Sequence, residues 1–253
     1  MLHRSVLSSF SACLLGGLLA CAALSPAASA QFDPTAPGTL RVTQVKVKPG
    51  YGNVWREMQR DILIPYFKRA KYPFVSTYRL RFSEASYGVV SSIGASDMTA
   101  ETTEEGSSKY RAARRESVEW ARTSVRRRHT DLSFGKPLDA PAELLSVSTI
   151  TIAPGKRNDF IKNFKENGIP RWKKMGFRFL TTTEIIYGHN TGKFVVVTPI
   201  KNYAELAEGT PFYRGMSEAE RAQLLTGMGS GVITDIQRVV ADYIPGLSYS
   251  TAQ

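Results

Sequence analysis

The chain repeats itself, and that constrains its fold more than any motif does. Val45-Lys46-Val47-Lys48-Pro49-Gly50 returns as Ile150-Thr151-Ile152-Ala153-Pro154-Gly155, an offset of 105 residues. In the same ungapped frame Trp55 falls on Phe160, Ile64-Pro65 on Ile169-Pro170, Phe67 on Trp172 and Lys68 on Lys173. Leu80 and Phe82 then fall on Ile185 and Tyr187. Chance produces one Pro-Gly match, but hardly a second proline and several aromatics in one frame. Near the ends, Leu132-Ser133 matches Leu247-Ser248 at an offset of 115, so the second copy is longer there. Each copy must therefore form the same unit and bury the same positions. The pattern predicts a tandem duplication: repeat 1 over 40–134, a linker over 135–143 and repeat 2 over 144–251.

Within each copy the order predicted is strand, helix, strand, strand, helix, strand. Val45 and Val47 alternate with Gln44 and Lys46, as Ile150 and Ile152 do with Thr149 and Thr151, which marks strands with one apolar face. Pro-Gly ends each strand. Val54, Trp55, Met58, Ile62 and Tyr66 follow at helical spacing, as do Phe160, Ile161, Phe164, Gly168 and Trp172. Pro65 and Pro170 predict a kink or restart at the same point of both helices. Hairpins are predicted for 74–82 with 87–93 and for 177–187 with 193–198, the second turning at Gly188-His189-Asn190-Thr191-Gly192. Later helices are predicted at about 108–127 and 232–243, the second with Ile233, Ile236 and Val240 on one face, and Ser217 with Glu220 reads as a capping box.

This strand and helix order is the ferredoxin-like pattern. Two such units, fused, place their sheets face to face as a pseudo-dimeric α/β barrel, an α+β fold. The stretch Ile150–Phe177 carries Ile-x-Ile-x-Pro-Gly, Phe160, Ile169-Pro170 and Gly176-Phe177, and it resembles the NIPSNAP-like branch of the dimeric α/β-barrel superfamily. The first copy has Lys71 where the second has Gly176. The resemblance implies the barrel architecture. It implies no single activity, because relatives include cofactorless monooxygenases, haem enzymes and proteins of no known activity.

Residues 1–30 stand outside the repeat. A basic start at His3-Arg4, an apolar run from Val6 to Leu24, Pro26 and Ala28-Ser29-Ala30 read as a signal peptide, which predicts an exported, periplasmic or secreted protein with 31–39 as an N-terminal extension. Leu18-Leu19-Ala20-Cys21 is a looser match to a lipoprotein box, in which Cys21 would be the lipidated N-terminus. Cys13 and Cys21 are the only cysteines, so cleavage after Ala30 leaves no disulfide, thiolate nucleophile or cysteine metal ligand. Hydrophobic packing must then hold the fold.

Few residues invite chemistry. His189 reads as a solvated turn residue. His129 follows Arg126-Arg127-Arg128 and reads as a helix-end cation, with haem ligation or acid–base work as the alternative. No metal-ligand spacing and no local nucleophile motif occurs. Gly227-Met228-Gly229-Ser230-Gly231 lacks the lysine of a nucleotide loop and reads as a helix break. The candidates left face the barrel interior. If Val45 and Val47 lie under the helices, Gln44 and Lys46 point inward with Thr149 and Thr151. Arg79 and Glu184, equivalent at the offset, would join them as ligand-binding residues or as an ion pair, with Tyr78, Leu80, Phe82, Thr183, Ile185 and Tyr187 on the helix side. The net charge of +11 is concentrated between Lys109 and Arg128, where eight cations meet only Glu116 and Glu119. Arg111, Arg115, Arg122 and Arg126 would form one helical stripe. On an exported protein such a face suits an anionic lipid or polysaccharide, not nucleic acid. The function expected is a non-catalytic module for a small, partly apolar ligand or a protein partner, with no cofactor called for. The enzyme alternative is a cofactor-independent monooxygenase or a haem protein on the same barrel.

Overall fold

Alternating apolar residues make strand β1 (Thr39–Val47), and Pro49-Gly50 ends it with Gly50 at φ 85°. The computed structural model that shows this describes residues 38–93, 104–136, 142–207, 217–220, 222 and 231–251. The signal segment with Cys21, nearly all of the 31–39 extension, most of the 135–143 linker and the glycine run up to Ser230 lie outside the described residues.

After β1 come α1 (Gly52–Met58), a π turn (Gln59–Leu63) and α2 (Ile64–Arg69). The second half repeats this: β6 (Leu144–Ile152), α4 (Arg157–Asn163), a π turn (Phe164–Gly168) and α5 (Ile169–Lys174). Pro65 and Pro170 explain both π turns. Each proline lacks the N–H that a continuous helix needs. The preceding Ile64 and Ile169 bond back five residues, to the carbonyls of Gln59 and Phe164, so each helix restarts where the sequence predicts.

The hairpins also form, as β2 (Phe74–Arg81) with β3 (Tyr87–Ser92) and β7 (Phe179–Gly188) with β8 (Phe194–Ile200). α3 (Glu104–Ser117) leads into β4 (Val118–Arg128), and the chain then reaches the short β5 (Phe134–Gly135). In the second half α6 (Ala204–Ala207) and later β9 (Ile233–Tyr243) and β10 (Tyr249–Ser250) complete the set. The capping box is made: Ser217 Oγ accepts from the Glu220 backbone N–H at 3.2 Å and Glu220 Oε2 accepts from that of Ser217 at 2.8 Å.

The two predicted helices at 108–127 and 232–243 are corrected. The first ends at Ser117, and β4 and β9 are strands. Each strand has a β-bulge near its start, opposite Lys46/Val47 and Thr151/Ile152. A bulge adds one residue, so neighbours on one face are briefly three apart, and a further step of four is two strand repeats. Val118, Ala121 and Val125, like Ile233, Ile236 and Val240, thus imitate a helix while lying on one side of a strand. The basic stripe is broken for the same reason: Arg111 and Arg115 belong to α3, Arg122 and Arg126 to β4.

The eight long strands are antiparallel and close in the order β2-β3-β1-β4-β7-β8-β6-β9, with β9 returning to β2. Two ferredoxin-like βαββαβ halves thus form a pseudo-dimeric α/β barrel. Seams β4–β7 and β2–β9 join the halves. Outside the barrel, Val45, Val47, Trp55, Met58 and Tyr87 pack in one half, and Ile150, Phe160, Ile169, Trp172, Leu180 and Phe194 in the other. Inside it, Leu145, Phe179 and Ala241 meet Tyr78, Leu80, Val147 and Val197.

Candidate functional site

The register places each expected site residue. Val45 and Val47 do lie under the helices, so Gln44 and Lys46 face the interior, as do Thr149 and Thr151. For Arg79 and Glu184 the inward assignment is corrected. Tyr78 and Leu80 are the residues of β2 that enter the barrel, and Thr183 and Ile185 follow them on β7. Because strand faces alternate, Arg79 and Glu184 point outward; a one-residue slip in face assignment inverts both strands. They do not meet each other. At one seam Arg79 lies opposite Asp242, whose carboxylate bonds Arg81 at 2.8 Å, and at the other Glu184 lies opposite Arg127 and bonds it at 2.8 Å.

Glu184 is the centre of the most developed polar cluster. Its carboxylate, 6% exposed, receives Arg157 Nε at 2.6 Å and Nη2 at 2.7 Å, Arg127 Nη2 at 2.8 Å and His129 Nε2 at 2.9 Å. Three elements supply these donors: β4, the turn after it and the start of α4. The bidentate bonds from Arg157 hold the Glu184 carboxyl down at about 2 against the opposing cost of burial, with Arg127 and His129 adding to the effect.

An ionised carboxylate only accepts, so His129 donates through Nε2 and its lone pair sits on Nδ1. Nδ1 is 3.8 Å from Asp131 Oδ1, and Asp131 is itself 3.7 Å from Lys165. The imidazole, 12% exposed, packs 5.4 Å from the ring of Phe194. Its backbone is pinned too: the N–H donates to Thr182 O at 2.9 Å, and the carbonyl accepts from Ser133 Oγ at 2.6 Å. A carboxylate that orients a histidine and fixes its tautomer is the working part of a general base.

Sequence reading misses this pair. His129 and Glu184 are 55 residues apart, and only the β4–β7 register brings them together. At the other seam Ile244 and Gly52 stand in the places of His129 and Arg157, so the cluster belongs to the β4–β7 seam alone. His189 is exposed in its turn, and its titration is lowered by partial burial and by the cations Arg122 and Lys193.

No family model and no curated protein sequence matches the chain. Solved structures do. A putative monooxygenase from Fusobacterium nucleatum matches with TM-score 0.57 and 12% identity over 86% of this chain and 96% of that one. An anthrone oxidase-like protein matches at 0.60, with 10% identity over 86% and 94%. A chlorite dismutase from Candidatus Nitrospira defluvii matches at 0.52, with 10% identity over 84% and 93%. The expected non-catalytic binding module is overturned by these matches, whose enzyme names favour the alternative. The expectation of no cofactor left haem open, and a haem-binding protein from Thermus thermophilus and a haem-degrading enzyme from Listeria monocytogenes also match, at TM-scores of 0.49 and 0.41. Among the described residues neither histidine fits an axial haem ligand, which needs a lone pair aimed at a wide apolar face. The Nδ1 lone pair of His129 lies on the Asp131 side, 3.8 Å from that carboxylate, and His189 lies in an exposed turn. What the chain shares with these proteins is the fold, a ferredoxin-like dimeric α/β barrel.

Proposed function

We propose that the protein is a cofactor-independent monooxygenase or oxidase acting on an aromatic substrate with an acidic C–H bond, with His129 as base and Glu184 as its orienting partner. The observation that carries this reading is the His129–Glu184 bond, in which a carboxylate held at about 2 leaves the basic lone pair on Nδ1. A methylene between aromatic rings and para-conjugated to a ketone loses a proton to such a base, and the delocalised carbanion can reduce O2 directly. The step balances: the methylene and one O2 give a ketone and one water. Two C–H bonds and the O–O bond break, one C=O bond and two O–H bonds form, and O2 takes the electrons. Arg127, its side chain about half exposed at the same edge, places a cation where the enolate oxygen gathers charge.

The narrower descent is also proposed here: a NIPSNAP-like tandem duplication, exported after cleavage before Gln31. The matched bulges, the matched π turns and the twin bonds from Thr77 Oγ1 to Leu247 O and Thr182 Oγ1 to Leu132 O support duplication.

The test is oxygen uptake by the purified protein with anthrone, against quinone formed. One O2 per quinone is expected, and His129→Gln should slow it by about 100-fold or more while the fold persists. Uptake unchanged by His129→Gln, or absent with anthrone, would overturn the assignment.

A further inference from the structure

The strands that present Arg127 and Glu184 outward turn Arg126 and Thr183 inward, and these two form a second polar site on the opposite face. Arg126 lies opposite Leu40 on β1 and Ile185 on β7, both buried, so its side chain enters the barrel. Its Nε donates to Ser124 Oγ at 3.2 Å, and Ser124 Oγ in turn lies 3.4 Å from Val42 O. No carboxylate among the described residues balances this cation; desolvation alone acts on it and pushes the guanidinium down to about 10. Thr183, 3% exposed, is a diagonal neighbour across the seam on the same face, and its Oγ1 has no hydrogen-bond partner.

Buried polar groups are paired as a rule, and a half-buried cation without a counter-charge still loses part of its hydration. Here a cation and an idle hydroxyl stand together. Ala241 occupies the place of Arg126 in the other half, where the interior is apolar and lined by Phe179, Leu145, Tyr78, Leu80 and Val197. The two sides of the barrel interior therefore differ: a cationic, hydroxyl-bearing wall faces a hydrophobic one. An eight-stranded barrel is wide enough to be filled by side chains or to hold one small ligand.

We propose that the barrel interior binds a small carboxylic acid with an apolar body, its carboxylate on Arg126 and Thr183 and its body against Phe179, Leu80 and Val197. Arg126 supplies charge-assisted N–H donors, the Thr183 hydroxyl adds a donor, and the acid supplies the missing negative charge. This site does not rest on the oxidation proposed above, because His129 and Glu184 lie outside the barrel wall.

Calorimetric titration of the intact protein with 1-naphthoate, and with 1-naphthalenemethanol as the neutral control, tests the site. The acid should bind about tenfold or more tightly than the alcohol, and Arg126→Met should remove that preference. Thr183→Val should weaken the acid by a smaller factor without affecting the alcohol. Because Arg126→Met deletes a half-buried, unbalanced charge, its thermal midpoint without ligand should equal or exceed that of the unsubstituted protein, which separates lost binding from lost folding. Equal affinity for acid and alcohol, no affinity for 1-naphthoate, or unchanged binding in Arg126→Met would overturn the proposal.

Discussion

Glu184 accepts from two arginines and a histidine, and this gives it a pH signature. Its carboxyl titrates at about 2 in the fold against an ordinary 4.5. The stabilisation it provides is therefore complete above about 4.5 and lost as the pH falls toward 2. Glu184→Gln should cost about 1–3 kcal/mol at neutral pH, less than the usual cost of breaking a fully buried pair, because Arg127 and Arg157 can still reach water. Chemical denaturation from pH 7 to pH 2.5 checks this: the variant should lose less stability on acidification than the unsubstituted protein. Nothing local in the sequence announces this cluster, since Glu184 sits between Thr183 and Ile185 in an ordinary strand pattern. The signal that sequence does hold is weaker, a lone histidine after a run of arginines.

Helix and sheet pack through the same positions in both halves. Trp55 is 1% exposed and stacks on Tyr87 with centroids 3.9 Å apart, while Phe160, 3% exposed, lies 4.6 Å from Phe194. Replacing either by alanine should cost roughly 3–5 kcal/mol in urea unfolding. The seam is tested by Gly188, whose φ of 87° and contact with Thr123 O leave no room for a Cβ. Gly188→Ala should cost roughly 1–3 kcal/mol and raise amide exchange in β4 and β7 above that in β6 and β8. These helix-side residues were legible in the sequence because they repeat at the offset. The strand identity of β4 and β9 was not, because a bulge turns a period of two into an imitation of three and four.

The barrel has no free long edge, since β4 pairs β7 and β9 returns to β2. Neither half can unfold without exposing two strand edges and an apolar inner face on the other. Equilibrium urea unfolding should accordingly show one transition, with circular dichroism and tryptophan fluorescence coincident. Trp55 and Trp120 report on the first half and Trp172 on the second, so two separated fluorescence steps would show that the halves are independent.

By itself the sequence determined the ferredoxin-like fold class and the helix-facing positions, because these depend on local periodicity and on prolines and glycines whose backbone demands are intrinsic. It also carried the interior direction of Gln44 and Lys46, which follows from the burial of Val45 and Val47 on the same strand. Only the tertiary structure decided the faces of β2 and β7. Their alternation is mixed on both sides, with Tyr78 and Leu80 answering Thr77 and Arg79, so no apolar preference chooses between two registers one residue apart. That choice sent Glu184 outward to His129 and Arg157, turned Arg126 inward, and set two different chemistries on opposite faces of one seam.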